Sequence, residues 1–212
     1  MAEARATEGD KRERILQAAI RVFAKKGFYA TKVSEIAKAA SVADGTIYLY
    51  FQNKEAILVS VFDDRMKALL ALLERISSSQ RTSEEKVQRI MELQLGLLEE
   101  ERDLAEVVTV NLRQSSTFLK QYAAPLFRRY LELMADVVAA GQRDGSFRKD
   151  LNPRVVARSL FGGLDGIALT WALGAEPPEE PSPVLLRKAA SQFSALFLAG
   201  LRAGAELGAE AK

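Results

Sequence analysis

The chain has 212 residues, 48% hydrophobic and 27% charged, with a formal net charge of +2. That is enough apolar material for a sizeable core in one large or two small domains, and too little positive charge for a polybasic nucleic-acid coat. The absence of cysteine and histidine excludes disulfides, thiolate nucleophiles, zinc-finger sites and the commonest general base near neutral pH, which favours a binding protein over an enzyme.

No cofactor and no metal site are expected. No apolar run approaches the ~18 residues of a membrane span, and MAEARATEGDKRER at the N-terminus has no apolar segment of a secretory signal. The protein therefore reads as cytoplasmic, with no membrane partner. Residues 1–60 carry ten Lys/Arg against seven Asp/Glu, a modest positive excess at one end.

Residues 1–10 are small, polar and unpatterned, and read as a disordered tail. From Lys11 the spacing of Ile15, Ala18, Ala19, Val22 and Phe23 predicts a helix over about 11–26, closed by Lys25, Lys26 and Gly27. Thr31 is placed to cap a second helix, 32–39, whose inner residues are Val33, Ile36, Ala37 and Ala40. A strict capping box is not met on that register, because its third position is Ser34 and Glu35 follows. A tight turn, 40–42, leads to a third helix in which Ile47 and Phe51 share one face. Gly45, Thr46 and Leu49 then look outward, with Tyr48 and Tyr50 on the flanks. That surface suits a helix lying in a DNA major groove, where Leu49 can meet a thymine methyl.

Asn53 caps a long fourth helix, about 54–76, with apolar residues from Ile57 to Ile76. No Pro/Gly linker interrupts it, so one rigid helix is expected to join head and body. Thr82 with Glu85 forms a capping box for a fifth helix, about 83–100. A sixth, 103–115, and a seventh, 117–144, follow, with a kink expected near 121–125 because Pro125 cannot donate to the Gln121 carbonyl. Asn152-Pro153 starts an eighth helix, about 153–173, whose Gly162, Gly163 and Gly166 suggest a very close helix contact. GAEPPEEPSP, 174–183, is non-helical, and a ninth helix covers about 184–205. The fold class is all-α.

Gln94, Asn111, Tyr122 and Tyr130 fall on otherwise apolar stripes. They either pair with one another or line a mostly apolar pocket with a few polar contacts. Arg113, Arg128 and Arg129 are cations that suit a phosphate-bearing head group or, equally, the surface. Trp171 is a core or ligand-contact candidate.

The pattern Ile15-Leu16-x-Ala18-Ala19, Phe23-Ala24-x-x-Gly27-Phe28, Thr31-x-Val33-x-x-Ile36-Ala37, Val42-x-x-Gly45-Thr46-Ile47-Tyr48-x-Tyr50-Phe51-x-Asn53-Lys54-Glu55 strongly resembles the TetR/AcrR family of one-component transcriptional repressors. The resemblance implies a nine-helix fold, with a helix-turn-helix head over 11–56 and a ligand-binding, dimerising body over 57–212. It implies that Gly45, Thr46 and Tyr48 approach bases and that Thr31, Tyr50 and Lys54 hold phosphates, with Lys32 and Asp44 on the same DNA-binding surface. Two departures stand out. Ser41 occupies a turn position where the family often has Gly, and Ala43 occupies one where it has a capping Ser. Asp44 is placed to replace that cap, and faces DNA favourably only by accepting from a cytosine amino group.

Short matches at 43–51, at Leu112-Arg113-Gln114-Ser115, and at Phe161-Gly162-x-x-Asp165 with Trp171 resemble the subgroup that represses fatty-acid degradation genes and releases DNA on binding long-chain acyl-CoA. On that resemblance the effector is a lipophilic acyl-CoA, and the candidate ligand contacts are Gln94, Asn111, Arg113, Gln114, Tyr122, Arg128, Tyr130 and Trp171. The expected partners are a double-stranded, palindromic operator and a second copy of the chain, paired through helices 8 and 9 by Gly162, Gly163 and Gly166 and the Phe193/Phe197/Leu201 face. The alternatives are a repressor of multidrug efflux that senses lipophilic drugs and, from another class, a helical lipid carrier or enzyme.

Overall fold

The structure is a computed structural model that describes residues 2–111, 124–174 and 186–204, with side chains over 10–110, 125–174 and 186–204. The described residues form nine α-helices: α1 Ala2–Lys26, α2 Val33–Ala40, α3 Asp44–Tyr50, α4 Lys54–Ser77, α5 Ser83–Glu100, α6 Arg102–Glu106, α7 Ala124–Asp144, α8 Pro153–Ala172 and α9 Leu186–Leu201. A π-helical turn, Val107–Asn111, continues α6, and the one β-bridge described joins Phe147 and Arg202.

Several boundaries differ from expectation, each for a local reason. Helix α1 starts at Ala2, not at Lys11, so the tail expected over 1–10 is helical from there. Ala, Glu and Arg dominate it, and their helix propensity needs no apolar stripe. Helix α2 starts at Val33 with Lys32, not Thr31, as its cap. The shift puts Glu35 at the third helical position, where its carboxylate accepts from the Lys32 backbone N–H at 3.0 Å, the reciprocal half of a capping box. Pro125 is the second described residue of α7. The rest of the expected kink region, 121–123, lies outside the described residues.

The chain divides into two compact units, residues 1–67 with 101–126, and residues 68–100 with 127–212. In the first, α1, α2 and α3 pack around Ile15, Ala19, Phe23, Ile36, Ile47 and Phe51, joined by Ile57, Leu58 and Val61 of α4. Leu104 and Val107 complete this core although they stand far from it in sequence. Phe23 and Phe28 meet at 5.5 Å between ring centres, which seats the loop after Gly27, a residue at φ 77° where a side chain would be strained.

In the second unit α9 packs on α5 and α8. Its core draws on Val87, Ile90, Met91 and Leu95 of α5, Met134, Val137 and Val138 of α7, Leu160 and Leu164 of α8, and Ala190, Leu198 and Leu201 of α9. Leu201, expected on a face open to a second copy, is thus buried within its own chain. Leu196 of the same helix is exposed instead.

Candidate nucleic-acid interface and effector site

The head is built by two chain reversals. At the first, Ser41 adopts the left-handed conformation, φ 55° and ψ 47°, so its N–H reaches the Lys38 carbonyl and that of Val42 reaches the Ala37 carbonyl. This closes α2 in the way a C-terminal glycine usually does. Arg14 of α1 donates to the freed Ala40 carbonyl at 2.7 Å, a charge-assisted bond that ties the turn to the first helix. At the second, Asn53 accepts from the Ala56 N–H at 2.7 Å and starts α4 as expected.

Between these reversals α3 is held by two anchors. Ile47 and Phe51 are buried, whereas Tyr48 is 58% and Leu49 82% exposed. Asp44 and Gly45 are also exposed, and Thr46 and Tyr50 are half-buried. An added Cβ at Gly45 would meet nothing within 4 Å, so this glycine leaves open space on the outer surface. Large exposed apolar side chains beside a bare glycine make a surface that can approach base edges closely.

The start of α3 differs from expectation. Ala43 is its cap residue and no side chain caps it; the Thr46 N–H bonds only to the Ala43 carbonyl. Asp44 therefore does not replace the missing cap. As the first helical residue it sits one position too late to accept from the leading N–H groups, and contributes only its charge at the positive end.

The residues expected to hold phosphate divide. Lys32 is exposed and Tyr50 is half-buried. Thr31, expected to present its hydroxyl, is buried, and donates instead to the Gly27 carbonyl at 2.8 Å. The Lys54 ammonium donates to the Thr31 carbonyl at 2.9 Å and the Tyr29 carbonyl at 3.1 Å, and lies 4.7 Å from the centre of the Phe28 ring. It therefore staples the start of α4 to the loop before α2. A lysine at the positive end of a helix is tolerated because those carbonyls and the ring face supply the compensating negative charge. Nothing local in the sequence signals this second role.

In the second unit Gln94 of α5 and Tyr130 of α7 come together. The Tyr130 hydroxyl donates to Gln94 Oε1 at 2.5 Å, so these two residues pair with each other. Burial of Tyr130 pushes its hydroxyl well above the ordinary tyrosine value, against the Gln94 hydrogen bond, and the nearby Asp165 charge pushes the same way as burial. Tyr130 stays protonated and remains a donor. Phe127 stacks on its ring, and Phe161 of α8 stands edge-on to both.

Trp171 is half-buried, Arg128 is exposed, and Arg129 is exposed and paired with Glu74 at 3.1 Å. Both arginines lie at the surface. Arg113, Gln114, Tyr122 and the side chain of Asn111 lie outside the described residues. A cleft of ≈ 180 Å³ between α1 and α4, lined by Glu13, Leu16, Ile20, Val61, Asp64 and Arg65, is smaller than the ~300–1,000 Å³ of small-molecule sites and is bordered by charge. Among the described residues no group of three or more carboxylates is placed to hold a metal, and no helix is long and apolar enough to cross a membrane.

Residues 15–61 match the family model for "Bacterial regulatory proteins, tetR family", and residues 62–177 match that for "YsiA-like protein, C-terminal region". The chain belongs to the TetR family of bacterial regulatory proteins. It is a DNA-binding transcriptional repressor of that family and not an enzyme.

Among TetR-family relatives, the chain is 35% identical over 159 residues to the fatty acid metabolism regulator protein of Bacillus subtilis, covering 75% of this chain and 82% of that protein. It is similar in structure to the transcriptional regulator FadR of Bacillus subtilis, solved in complex with stearoyl-CoA. That match has a TM-score of 0.80 and 31% identity, and covers 89% of this chain and 98% of the other. The fatty acid degradation regulator FadR of Bacillus halodurans matches with a TM-score of 0.79 and 33% identity, over 90% and 99% of the two chains.

Proposed function

We propose that this repressor controls fatty-acid metabolism genes, binds a palindromic operator as a homodimer, and is released by a long-chain acyl-CoA. The observation that carries the effector is the likeness, over 89% of the chain, to a regulator solved with stearoyl-CoA. The aromatic group of Phe127, Tyr130 and Phe161, with one polar pair inside it, is the kind of lining an acyl chain requires. Gln94, Arg128, Tyr130 and Trp171 are the ligand candidates whose side chains are described, and Asn111, Arg113, Gln114 and Tyr122 complete the proposed set.

Residues 11–56 form the DNA-binding head in this reading, and 57–212 the ligand-binding and dimerising body. Gly45, Thr46, Tyr48 and Leu49 face the bases and Lys32 and Tyr50 the phosphates, with Asp44 at the rim of the interface. Thr31 and Lys54 support the head from within. Their bonds to Gly27, Tyr29 and Thr31 favour this role over direct phosphate contact. Helix α4 is unbroken from Lys54 to Ser77; strain at its far end on effector binding changes the spacing of two heads that must match successive major grooves, ~34–36 Å apart.

The dimer pairs through α8 and α9. Gly162, Gly166 and Thr170 form an exposed row at four-residue spacing, and an added Cβ at either glycine would meet nothing within 4 Å among the described residues. Exposed Val155 and Leu196 add apolar surface on the two helices. A two-fold axis through such a face matches operator and protein symmetry.

Titration of stearoyl-CoA, free CoA, free stearate and a lipophilic cationic drug into the operator complex tests the reading. Release by stearoyl-CoA alone supports it. Release by the drug and not by the thioester replaces it with the efflux reading, and a chain that binds lipid but no DNA replaces it with a carrier.

A further inference from the structure

Gln94 stands in an unusual position. It interrupts the apolar face of α5 that Val87, Ile90 and Met91 carry into the core. Its carbonyl oxygen is satisfied, because the Tyr130 hydroxyl donates to it at 2.5 Å. Its amide nitrogen Nε2 is buried and has no hydrogen-bond partner among the described residues. A primary amide offers two N–H donors at that nitrogen and no acceptor, so the missing partner must be an acceptor. Buried donors in native proteins are almost always paired, and an unpaired one is destabilising.

The surroundings limit what that acceptor can be. Phe127 lies 5.9 Å from Tyr130, and Phe161 lies 4.7 Å from Phe127 and 5.9 Å from Tyr130, between ring centres. Three aromatic rings exclude a heavily hydrated group and suit an acyl chain. A carboxylate brought to the buried Nε2 would be a charge in apolar surroundings, and a neutral amide N–H does not compensate a charge there. The ligand's oxygen is therefore a neutral carbonyl and not a carboxylate. The acyl part of an acyl-CoA has one such oxygen, that of the thioester, which separates it chemically from a free fatty acid.

We propose that Gln94 donates its side-chain N–H to the thioester carbonyl of the bound acyl-CoA, and that Tyr130 holds the amide in the orientation that makes this possible. Gln94 is then the residue that tells a thioester from a carboxylate, and Tyr130 is a positioning residue. This assignment rests on the acyl-CoA reading above and names the recognition chemistry of that same site.

The experiment is calorimetric titration of the full-length protein with three probes of equal chain length: stearoyl-CoA, S-octadecyl-CoA, which has a CH2 in place of the carbonyl, and free stearate. The wild type is expected to prefer the thioester to the thioether by about tenfold, the loss of one hydrogen bond, and to bind stearate weakly. Gln94→Met, of similar length and without polar atoms, is expected to bind thioester and thioether equally, at the wild-type affinity for the thioether. Tyr130→Phe is expected to narrow the preference while leaving thioether binding in place.

A wild type that binds the two CoA probes equally, or a Q94M protein that keeps the tenfold preference, overturns the assignment while leaving the acyl-CoA reading intact. Failure of both CoA probes to bind the wild type overturns that reading as well. The wild-type comparison needs no variant, so it decides the matter even if Q94M does not fold.

Discussion

Gly163 of α8 faces the Phe193 ring of α9 so closely that a Cβ at position 163 would lie 2.2 Å from the ring's Cζ. Only a residue without a side chain allows α8 and α9 to approach this closely. Of the three glycines that suggested a close helix contact, Gly163 alone makes it within the chain, because a rotation of about 100° per residue turns Gly162 and Gly166 to the outside. Gly163→Ala is expected to lower stability by about 1–3 kcal/mol through overpacking, measured as a shift of the urea midpoint at constant slope. Gly162→Ala is expected to leave monomer packing unchanged and to weaken dimerisation, read by analytical ultracentrifugation.

Ser41 occupies a left-handed conformation that costs a side-chain-bearing residue about 1–2 kcal/mol. Ser41→Gly is expected to be neutral or stabilising by up to about 1 kcal/mol, because relief of this strain outweighs or balances the greater freedom of glycine in the unfolded chain. Ser41→Val is expected to destabilise by at least about 1 kcal/mol, since a β-branched residue fits that conformation poorly. Thermal melts of the three proteins under one condition give the order.

The exposed outer face of α3 predicts a separation of affinity from stability. Tyr48→Ala and Leu49→Ala are each expected to cost about 1–3 kcal/mol of operator binding while the melting temperature stays within about a degree, because neither side chain is in the core. Lys32→Ala is expected to weaken binding to all sequences alike and to reduce the salt slope by about one. Lys54→Met should do something different. It leaves the Tyr29 and Thr31 carbonyls without their donor, so stability is expected to fall by about 1–2 kcal/mol, and operator binding with it. Loss of operator binding in Lys54→Met with an unchanged melting temperature would return Lys54 to the role of a phosphate clamp.

Two hydrogen-bonded carboxylates give stability a pH dependence of known sign. The Glu85 carboxyl is held below the usual carboxylate range by the Thr82 backbone N–H and hydroxyl, and Asp144 by Ser146 and the Ser83 hydroxyl. A lowered folded-state pKa means that the contribution is fully present above the unfolded value, near pH 4, and is lost as the pH falls through the lowered folded value. Unfolding midpoints are expected to be flat between about pH 7 and 5 and to drop below about pH 4. The drop is expected to be smaller in Glu85→Gln and Asp144→Asn.

Much of the fold was legible because its signals are local. The spacing of Ile47 and Phe51 oriented α3. Gly27 ended α1, Asn53 and Thr82 started α4 and α5, and the pattern from Ile15 to Glu55 carried the family likeness. Each depends on residues within about one or two turns of each other, where backbone geometry alone decides which side chains meet. The errors at the starts of α2 and α3, Lys32 for Thr31 and Ala43 without help from Asp44, were errors of a single position, whereas α1 reaches back to Ala2 and not to Lys11.

The roles that sequence left open depend on what packs against what. Thr31 and Lys54 turn inward because the loop after α1 presents carbonyls and the Phe28 ring to them, and Leu104 and Val107 join a core formed far away in the chain. Gln94 finds Tyr130 across 36 residues, and Gly163 rather than its neighbours receives Phe193. A one-residue turn of a helix decides such contacts, and only the packed structure sets that turn. The sequence by itself therefore determined the family, the helices and the face of α3 that is left exposed. The tertiary structure decided which polar side chains support that face from within and which one waits, half-satisfied, beside an aromatic wall.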